Sequence, residues 1–433
     1  MTEETPAAGE ALRPTAPAPA RRPTVSGGPD AGEPRRSGPL RRGLAKAVPL
    51  VVASGLAVWL ATQALKPAPP AQVGADVVGY LSGAAAEGFA RVTGPQSLAF
   101  PRDEGPHNAY QTEWWYYTGN LASPADGRRF GFQLTFFRRA LRPPATAPTP
   151  DGSAWRADQV YLAHFALADV GEGRFRSAER LERGALGLAG ATADPFRVWV
   201  DDWSAARAGG TDRQPVTVLR ARDGDAGLDL RLEPLKDRVL HGERGFSPKG
   251  PEPGNASMYL SFTRLAATGT LVAGGLQLPV EGLAWMDHEW STSALAADQL
   301  GWDWFSLQLD DGRELMLFQL RQADGGVAAS SSGSLIGADG RLRHLTRADF
   351  SLTVTDRWTS PRTGGRYPSG WRLAVPSADL DLVLRPQLAD QELAVGLRYW
   401  EGAVRVSGRG AAGPVAGYGY AELTGYAGGV GRQ

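Results

Sequence analysis

The sequence predicts an all-β protein with two related domains. Short runs of alternating apolar and polar residues, the pattern of half-buried strands, recur throughout the chain after residue 95. Asp-Gly pairs, the strongest short signal for a hairpin turn, separate many of these runs. No extended helical period competes with this pattern. At 433 residues the chain exceeds one small domain, so two domains are expected.

Individual strands and turns can be placed from the same pattern. The clearest predicted strands are Phe130–Phe137, Val216–Arg220, Leu228–Leu232 and Leu380–Leu384. The predicted hairpin turns are the Asp-Gly pairs at 126–127, 151–152, 223–224, 311–312 and 339–340. A sheet of this extent curls or closes to remove its unpaired edges, so each half is expected to be a barrel or a sandwich.

An internal similarity supports two related domains. The segment that begins at Trp114 resembles the segment that begins at Trp302. Each contains an aromatic-led strand, an Asp-Gly-Arg hairpin and a second apolar strand. This recurrence favours a duplication joined near residues 270–282. A chance match between two amphipathic hairpins is the alternative.

The N-terminal region predicts a membrane-directed segment. Residues 1–43 are rich in Pro, Ala, Gly and Arg, a composition typical of disorder. Residues 44–66 contain an uncharged run from Ala47 to Leu65, which is long enough to span a bilayer. The arginines before this run predict a cytoplasmic N-terminus and domains on the outer side of the membrane, in the cell envelope, or secretion after cleavage. The remaining predicted boundaries are a linker at 67–95 and domains at 96–278 and 279–430.

Composition excludes several functional classes. The 46 basic and 46 acidic residues give a net charge of zero, so no nucleic-acid partner is indicated. The absence of cysteine excludes disulfides, thiolate zinc sites and a cysteine nucleophile. The five histidines show no recognised metal-binding spacing, so neither a metal nor another cofactor is predicted. The alternative is a distributed metal site formed by His107, Glu113, His164 and His288.

The most informative segment is Gly282–Trp290, where three consecutive ionisable residues stand between two tryptophans. Side chains alternate between the faces of a strand. The two predicted faces are Trp285, Asp287 and Glu289 on one side and Met286, His288 and Trp290 on the other. Two carboxyl groups beside an indole are costly unless they line a polar cavity or are paired. The segment therefore indicates ligand binding or catalysis.

Four other places combine polar and aromatic residues, and one of them is Tyr399–Gly402 together with Tyr418–Glu422 near the C-terminus. Glu113 precedes an aromatic run, and alternation predicts Glu113, Trp115 and Tyr117 on one face, opposite Trp114 and Tyr116. The structural alternative for Glu113 is an ion pair with an arginine such as Arg138. His164 lies alone in an apolar strand, and its alternative is a core histidine bonded to a backbone carbonyl. His241 lies in a glycine-rich loop that is expected near a cavity mouth.

These segments resemble the AttH/carotenoid 1,2-hydratase family of lipocalin-like proteins, over about Phe100 to Tyr426. The motifs that carry the resemblance are Glu-Trp-Trp-Tyr-Tyr-Thr-Gly, His-Phe-Ala-x-x-Asp, Gly-x-Ala-Trp-Met-Asp-His-Glu-Trp, Gly-Trp-Asp-Trp-Phe, Tyr-Trp-Glu-Gly and Gly-Tyr-x-Glu-Leu-Thr-Gly-Tyr. The resemblance implies two tandem lipocalin-like (calycin) barrels. The hydratases of this family add water to a double bond of an acyclic carotenoid. The segment Trp285–Trp290 resembles the AttH form more than the hydratase form.

The resulting hypothesis is hydration or isomerisation of a double bond in an apolar, isoprenoid-like substrate. Asp287 matches the region of the hydratases' proposed acid, and desolvation beside an indole raises the pKa of a carboxyl group. His288 or Glu289 would take a proton from water, with Glu113 and His164 as partners from the first barrel. The residues predicted to bind substrate are Trp285, Trp290, Trp114, Trp115, Tyr117, His107, His241 and Trp304. One alternative is a membrane-tethered protein that binds or transfers a lipophilic molecule without turnover, and a partner in envelope transport is left open. A second alternative takes the segment as a hydrogen-bonded joint between the two barrels, in which case Asp287→Ala would cost stability rather than activity.

Overall fold

The computed structural model describes residues 75–76, 87–144, 156–292, 295–296 and 298–427. Helical structure in these ranges consists of three 3-10 turns, at Arg102–Glu104, Arg347–Asp349 and Pro376–Ala378. The all-β prediction is therefore confirmed. No helix in these ranges is long and apolar enough to cross a bilayer. The predicted N-terminal segments 1–43 and 44–66, and the Asp-Gly pair at 151–152, lie outside the described residues.

The strands are numbered here in chain order. They are β1 (Ala75–Asp76), β2 (Thr112–Ala122), β3 (Arg129–Ala140), β4 (Gln159–Asp169), β5 (Arg174–Arg183), β6 (Ala189–Ala193), β7 (Phe196–Val200), β8 (Trp203–Gly210), β9 (Pro215–Asp223), β10 (Ala226–Pro234), β11 (Val239–Leu240), β12 (Phe246–Pro248), β13 (Ala256–Ala273), β14 (Leu276–Ser291), β15 (Gln299–Leu309), β16 (Glu314–Gln322), β17 (Ser332–Ile336), β18 (Leu342–Thr346), β19 (Ser351–Thr359), β20 (Arg366–Val375), β21 (Leu380–Pro386), β22 (Leu397–Arg398), β23 (Trp400–Gly410) and β24 (Gly413–Leu423).

Two large sheets follow the same strand order. The first runs β5-β4-β3-β2-β14-β13-β10-β9-β8-β7-β6, with β11 and β12 paired to β13, and it curls into a nearly closed barrel. The second runs β18-β17-β16-β15-β24-β23-β21-β20-β19 and forms a half-barrel. In both sheets the first four strands form a meander, β2–β5 in the first sheet and β15–β18 in the second. The first strand of each meander pairs with the last strand of the same sheet in chain order, β2 with β14 and β15 with β24. The repeated segments at Trp114 and Trp302 are the corresponding hairpins β2–β3 and β15–β16, as the duplication predicts.

The predicted strands and turns agree with the structure. The four predicted strands lie within β3, β9, β10 and β21. Four of the five predicted Asp-Gly turns lie in the described ranges and connect hairpins, and their glycines, at 127, 224, 312 and 340, have positive φ. Such turns need a left-handed backbone that glycine adopts without steric cost.

The change from one sheet to the other falls later than the predicted boundary at 278/279. Strand β14 pairs along its length with β13 and with β2, so the whole of Gly282–Trp290 belongs to the first sheet. The second sheet begins at Gln299. The hairpin of β13 and β14 is long because its two strands continue the apolar alternation on both sides of the Gly274–Gly275 turn.

Each sheet covers its own apolar core, and a third cluster lies between the sheets. Trp115 and Tyr117 belong to the core of the first barrel, while Trp371 lies in the core of the second. The third cluster includes Tyr116 and Trp304 and draws on strands of both sheets. The outer faces of β2 and β15 therefore meet there, which positions the site described next.

Candidate active site between the two sheets

A cavity lies between the two sheets, outside the core of either barrel. It contains about 770 Å³ of atom-free space, with its open mouth included. Its aromatic walls are Trp114, Tyr116, Phe137, Tyr259, Trp302, Trp304, Phe318 and Tyr399, and its ionisable groups other than tyrosine are Lys249, Asp287, Glu289, Glu401 and Glu422. Aromatic walls with a few convergent polar groups are typical of a site for an apolar ligand. A smaller cavity, lined in part by Tyr117, Met286 and His288, lies on the barrel side of the first sheet.

Asp287 faces this cavity from β14, and three side chains donate hydrogen bonds to it. The Tyr259 hydroxyl donates to Oδ2 over 2.6 Å. The Trp285 indole N–H donates to Oδ1 over 2.6 Å, and the Ser261 hydroxyl donates to the same oxygen. Trp304 of the second sheet donates its indole N–H to the Tyr259 hydroxyl over 2.9 Å. Side chains from both sheets therefore fix the position of this carboxyl group.

The electrostatic environment of Asp287 suits proton exchange. Burial raises the pKa of its carboxyl group to about 7. Hydrogen bonds from Ser261, Tyr259 and Trp285 oppose this rise because they favour the charged form, while the negative charge of Glu289 adds to it. A carboxyl group whose pKa lies near neutrality is suited both to donate and to accept a proton.

Glu289 lies two residues further along the same face and has a cationic partner. The Lys249 ammonium lies 2.9 Å from its Oε1, and the Ser257 hydroxyl donates to that oxygen. The ammonium also lies 4.2 Å from the centroid of the Phe318 ring. A buried carboxylate needs such a counter-charge. Glu289 therefore has an ion-pair partner that Asp287 lacks.

The second sheet adds two carboxyl groups that were not among the predicted site residues. Glu401 on β23 and Glu422 on β24 stand opposite each other in the strand register, and both line the cavity. Neither carboxyl oxygen of Glu401 has a hydrogen-bond partner within the described part of the chain. Burial, together with the neighbouring carboxyl group of Glu422, raises the pKa of Glu401 well above its usual range. Burial also raises the pKa of Glu422 to about 8.

Glu422 is the counterpart of Asp287 in the second sheet. Asp287 pairs with Tyr116 across β14 and β2, and Glu422 pairs with Trp304 across β24 and β15. Tyr116 and Trp304 occupy equivalent places in the repeated hairpins. The cavity therefore lies between equivalent faces of the two repeats. The sequence signal for Glu422 is the aromatic segment Tyr418–Glu422, but the sequence did not show that this segment faces Asp287.

The opposite face of β14 is turned toward the first barrel, as the alternation predicts. His288 places Nε2 2.8 Å from Glu113 Oε1, and His107 places Nδ1 2.8 Å from the same oxygen. The Arg138 guanidinium donates to Glu113 Oε2 over 2.8 Å, and neither side chain of this ion pair is accessible to solvent. Although burial acts in the other direction, Arg138 and the two histidines hold the pKa of Glu113 well below its usual range. The predicted structural alternative for Glu113 is therefore present.

This cluster fits an ion-pair network better than a metal site. His107, Glu113 and His288 bring potential ligand atoms within 4.8 Å of one another, as a metal ion would require. The Arg138 guanidinium, however, already occupies the second oxygen of Glu113. Its positive charge would repel a cation bound among the three residues. Burial lowers the pKa of His288 to about 4, so its ring is neutral near pH 7.

Strand pairing separates Asp287 from several of its predicted partners. Adjacent residues across β2 and β14 share a face, so Tyr116 stands beside Asp287, whereas Trp115 stands beside His288. Trp115 and Tyr117 lie in the barrel core, on the far side of the sheet from Asp287. The expected grouping of Trp115, Tyr117 and His288 with the Asp287 carboxyl group does not occur in this structure.

Two further residues predicted to bind substrate also lie on the barrel side. His107 stacks on Trp290, with ring centroids 3.6 Å apart and an interplanar angle of 6°. Both rings lie close to His288. They support the Glu113 network, whereas the predicted contacts Trp285, Trp114 and Trp304 lie on the cavity side.

His241, expected near a cavity mouth, is buried behind Asp287. Its Nε2 lies 2.7 Å from the Ser261 Oγ, and its Nδ1 lies 2.8 Å from the Ser334 Oγ. Ser261 in turn donates to Asp287. Burial lowers the pKa of His241 to about 3, so its ring is neutral near pH 7. His241 is thus connected to the Asp287 carboxyl group by hydrogen bonds through the Ser261 hydroxyl, and it does not line the cavity.

His164 is bonded to side chains of both sheets, in place of the backbone carbonyl considered as its alternative. Its Nδ1 lies 2.7 Å from the Tyr399 hydroxyl, and its Nε2 lies 2.9 Å from Glu179 Oε2. Tyr399 lines the cavity, so His164 reaches the site through one residue. Its predicted contact with the Asp287 segment is not observed.

Comparison with known proteins agrees with this architecture. The chain matches the AttH-like family model over residues 91–426. The crystal structure of a candidate AttH protein from Nitrosomonas europaea is 36% identical, covers 78% of this chain and 100% of its own, and has a TM-score of 0.67. Kievitone hydratase from Nectria haematococca is 14% identical, covers 78% of this chain and 98% of its own, and has a TM-score of 0.60, which shows a shared fold. No curated protein gives a significant match.

Proposed function

Because the chain belongs to the AttH-like family, we propose that it catalyses acid–base addition of water to a double bond, or migration of that bond, in an apolar ligand held between its two sheets. The observation that carries this proposal is the Asp287 carboxyl group, which three donors hold in an aromatic cavity with its pKa near neutrality. A structural neighbour named a hydratase supports the compatibility of this fold with water-adding chemistry. The substrate class proposed is an isoprenoid-like chain or ring.

Asp287 serves as both acid and base in the proposed reaction. Its protonated form gives a proton to one carbon of the double bond, and a carbocation forms at the neighbouring carbon. Water adds to that carbon and returns a proton to the Asp287 carboxylate, so the group is regenerated. Burial stabilises the neutral form, and the three donors stabilise the carboxylate, which keeps both forms accessible in one cycle.

The aromatic wall supports the intermediate of this reaction. A cation over the face of a tryptophan or tyrosine ring is stabilised by about 1–2 kcal/mol when it is desolvated. Trp114, Trp302 and Trp304 supply such rings in the cavity. In isomerisation the carbocation loses a proton from carbon instead of gaining water, and Asp287 again accepts it. The choice between the two products depends on whether water reaches the cation.

The test uses the full chain with acyclic and cyclic isoprenoids as trial ligands. Native mass spectrometry identifies those that bind, and turnover is followed in heavy-oxygen water and in deuterium oxide. We expect incorporation of heavy oxygen for hydration, or of deuterium alone for isomerisation. Asp287→Asn should lower the rate by roughly 100-fold or more, the usual contribution of a positioned acid–base group. Glu281→Gln, an exposed residue on the same strand, is the matched control.

Two results would contradict the proposal. Ligands retained unchanged and without label would favour the non-catalytic binding protein considered from the sequence. Turnover that survives in Asp287→Asn at the rate of the control would show that another group transfers the proton.

A further inference from the structure

A chain of three side chains leads from the protein surface to the cavity. Glu179 on β5 is one-quarter accessible, and its Oε2 lies 2.9 Å from His164 Nε2. His164 has no accessible side-chain surface, and its Nδ1 lies 2.7 Å from the Tyr399 hydroxyl. Tyr399 lines the cavity. Each of these groups can hold or pass a proton, and the two distances are those of hydrogen bonds.

The inner end of this chain meets the Glu401 carboxyl group, which is inaccessible and lines the cavity. The hydroxyls of Tyr116 and Tyr399 lie beside it and oppose the rise in its pKa. Neither forms a hydrogen bond of good geometry with Glu401 in this structure, so the last step of the chain requires the Tyr399 hydroxyl or the carboxyl group to rotate. A buried carboxyl group held in this way is costly, and a functional role is one reason for a protein to retain it.

We propose that Glu401 is a second proton-exchanging acid of the cavity and that Tyr399, His164 and Glu179 connect it to solvent. This inference deepens the proposed function. It rests on that function in one respect, namely that the exchanged proton is delivered to a bound ligand. Glu401 would act as the proton source for a carbon that Asp287 does not reach. Tyr399 and His164 act as relay residues, since neither is required to touch the ligand.

Proton transfer along the chain is balanced at each atom. When the Glu401 carboxylate takes the proton of the Tyr399 hydroxyl, the Tyr399 oxygen takes the proton from His164 Nδ1. A solvent proton, carried briefly by the Glu179 carboxylate, then passes to His164 Nε2. The net result is one proton moved from solvent to Glu401. Rotation of the Tyr399 hydroxyl and the His164 ring, or proton transfer in the reverse direction, restores the starting positions of the protons.

The charged surroundings of Glu401 are compatible with this role. Burial and the adjacent Glu422 raise the pKa of the Glu401 carboxyl group well above its usual range, which favours its neutral form. Asp287 and Glu289 are close enough to Glu422 to raise its pKa further. Among the described residues that line the cavity, the one lysine, Lys249, is paired with Glu289. A neutral acid surrounded by these carboxyl groups needs a path for replacing a donated proton.

The test measures hydrogen–deuterium exchange of the Glu401 carboxyl group by infrared spectroscopy, with the ligand-free full chain. The carbonyl band of the protonated acid is assigned by its loss in Glu401→Gln. After transfer to deuterium oxide, the shift of this band should be fast in the wild type. Tyr399→Phe should slow it by roughly tenfold or more, because exchange then depends on local opening. His164→Gln, which retains polar atoms but does not relay a proton, should slow it similarly.

Tyr116→Phe is the matched control. Its hydroxyl also lies beside Glu401, but it is not part of the chain that leads to His164. Exchange in this variant should remain close to the wild-type rate. Equal slowing in Tyr116→Phe and Tyr399→Phe, unchanged exchange in both Tyr399→Phe and His164→Gln, or no protonated Glu401 band at pH 7 would each overturn the proposal. Because no substrate is present, these outcomes are independent of whether the proposed reaction occurs.

Discussion

Asp287 and Glu113 are buried carboxyl groups on neighbouring strands, yet their surroundings favour opposite protonation states. Glu113 accepts hydrogen bonds from the Arg138 guanidinium and the two histidines, which stabilise its charge. Asp287 accepts only neutral donors, so burial raises its pKa to about 7. The same residue chemistry therefore supports an ion pair at one position and proton exchange at the other.

We expect Glu113→Gln to destabilise the protein strongly. The change leaves the Arg138 guanidinium buried without a counter-charge. Loss of one partner of a buried ion pair costs about 3–5 kcal/mol. The free energy of unfolding in urea measures this loss. Asp237→Asn, which removes an exposed partner of Arg213, is the control and should cost about 1 kcal/mol or less.

The pH dependence of unfolding gives a second measurement for Glu113. Its folded-state pKa is lower than its ordinary 4.5, so its contribution is complete above pH 4.5 and is lost as the pH falls toward the folded-state value. The Gln variant lacks this contribution, so its stability should fall less steeply below pH 4.5. Identical slopes for both proteins would mean that Glu113 is not ionised in the folded state.

At the scale of elements, β14 separates two networks because its side chains alternate. The face that carries Asp287 and Glu289 lines the cavity, while His288 and Trp290 complete the cluster around Glu113. The sequence alone predicted this division, since alternation is a local property of a strand. Which partners meet each face depends on strand pairing, and the pairing of β14 with β2 joins residues far apart in the chain.

We expect Gly282→Ala to disturb the pairing of β14 with β2. A Cβ atom at Gly282 would lie 2.3 Å from the carbonyl oxygen of Asn120, a backbone atom that cannot rotate away. Forced separation of the two strands should cost about 1–3 kcal/mol, as in other overpacked positions. The thermal unfolding midpoint measures the effect. Gly94→Ala is the control because its Cβ atom meets nothing within 4 Å. A midpoint equal to that of the control would show that the strands absorb the added methyl group.

At the scale of the whole molecule, Glu314 connects the two sheets. This residue on β16 has no accessible side-chain surface and is paired with Lys236, at 2.8 Å, and with Arg264. Arg264 lies at a register shift between Phe262 and Leu265 in β13. Such a bulge redirects a side chain, here toward the second sheet. The cavity exists because this contact and the third apolar cluster hold the sheets face to face.

We expect Glu314→Gln to weaken this joint. It leaves the largely buried Lys236 and Arg264 without their shared anion, at a cost of about 3–5 kcal/mol. Calorimetry should show a lower unfolding midpoint and a broader or divided transition, because the sheets then unfold less cooperatively. Asp339→Asn, at an exposed pair with Arg341, should leave the transition unchanged. A single transition at the wild-type midpoint would show that the remaining contacts between the sheets are sufficient to join them.

The sequence by itself determined the strand class, the hairpin turns, the duplication and the faces of the Gly282–Trp290 strand. These features depend on local alternation, on glycine at turns and on repeated segments, all of which are visible along the chain. The tertiary structure decided that the cavity lies between barrels, that Arg138 neutralises Glu113, and that Glu401 and Glu422 face Asp287. Alternation fixes which residues share a face, but packing between distant strands decides what each face meets and therefore which carboxyl groups carry a charge.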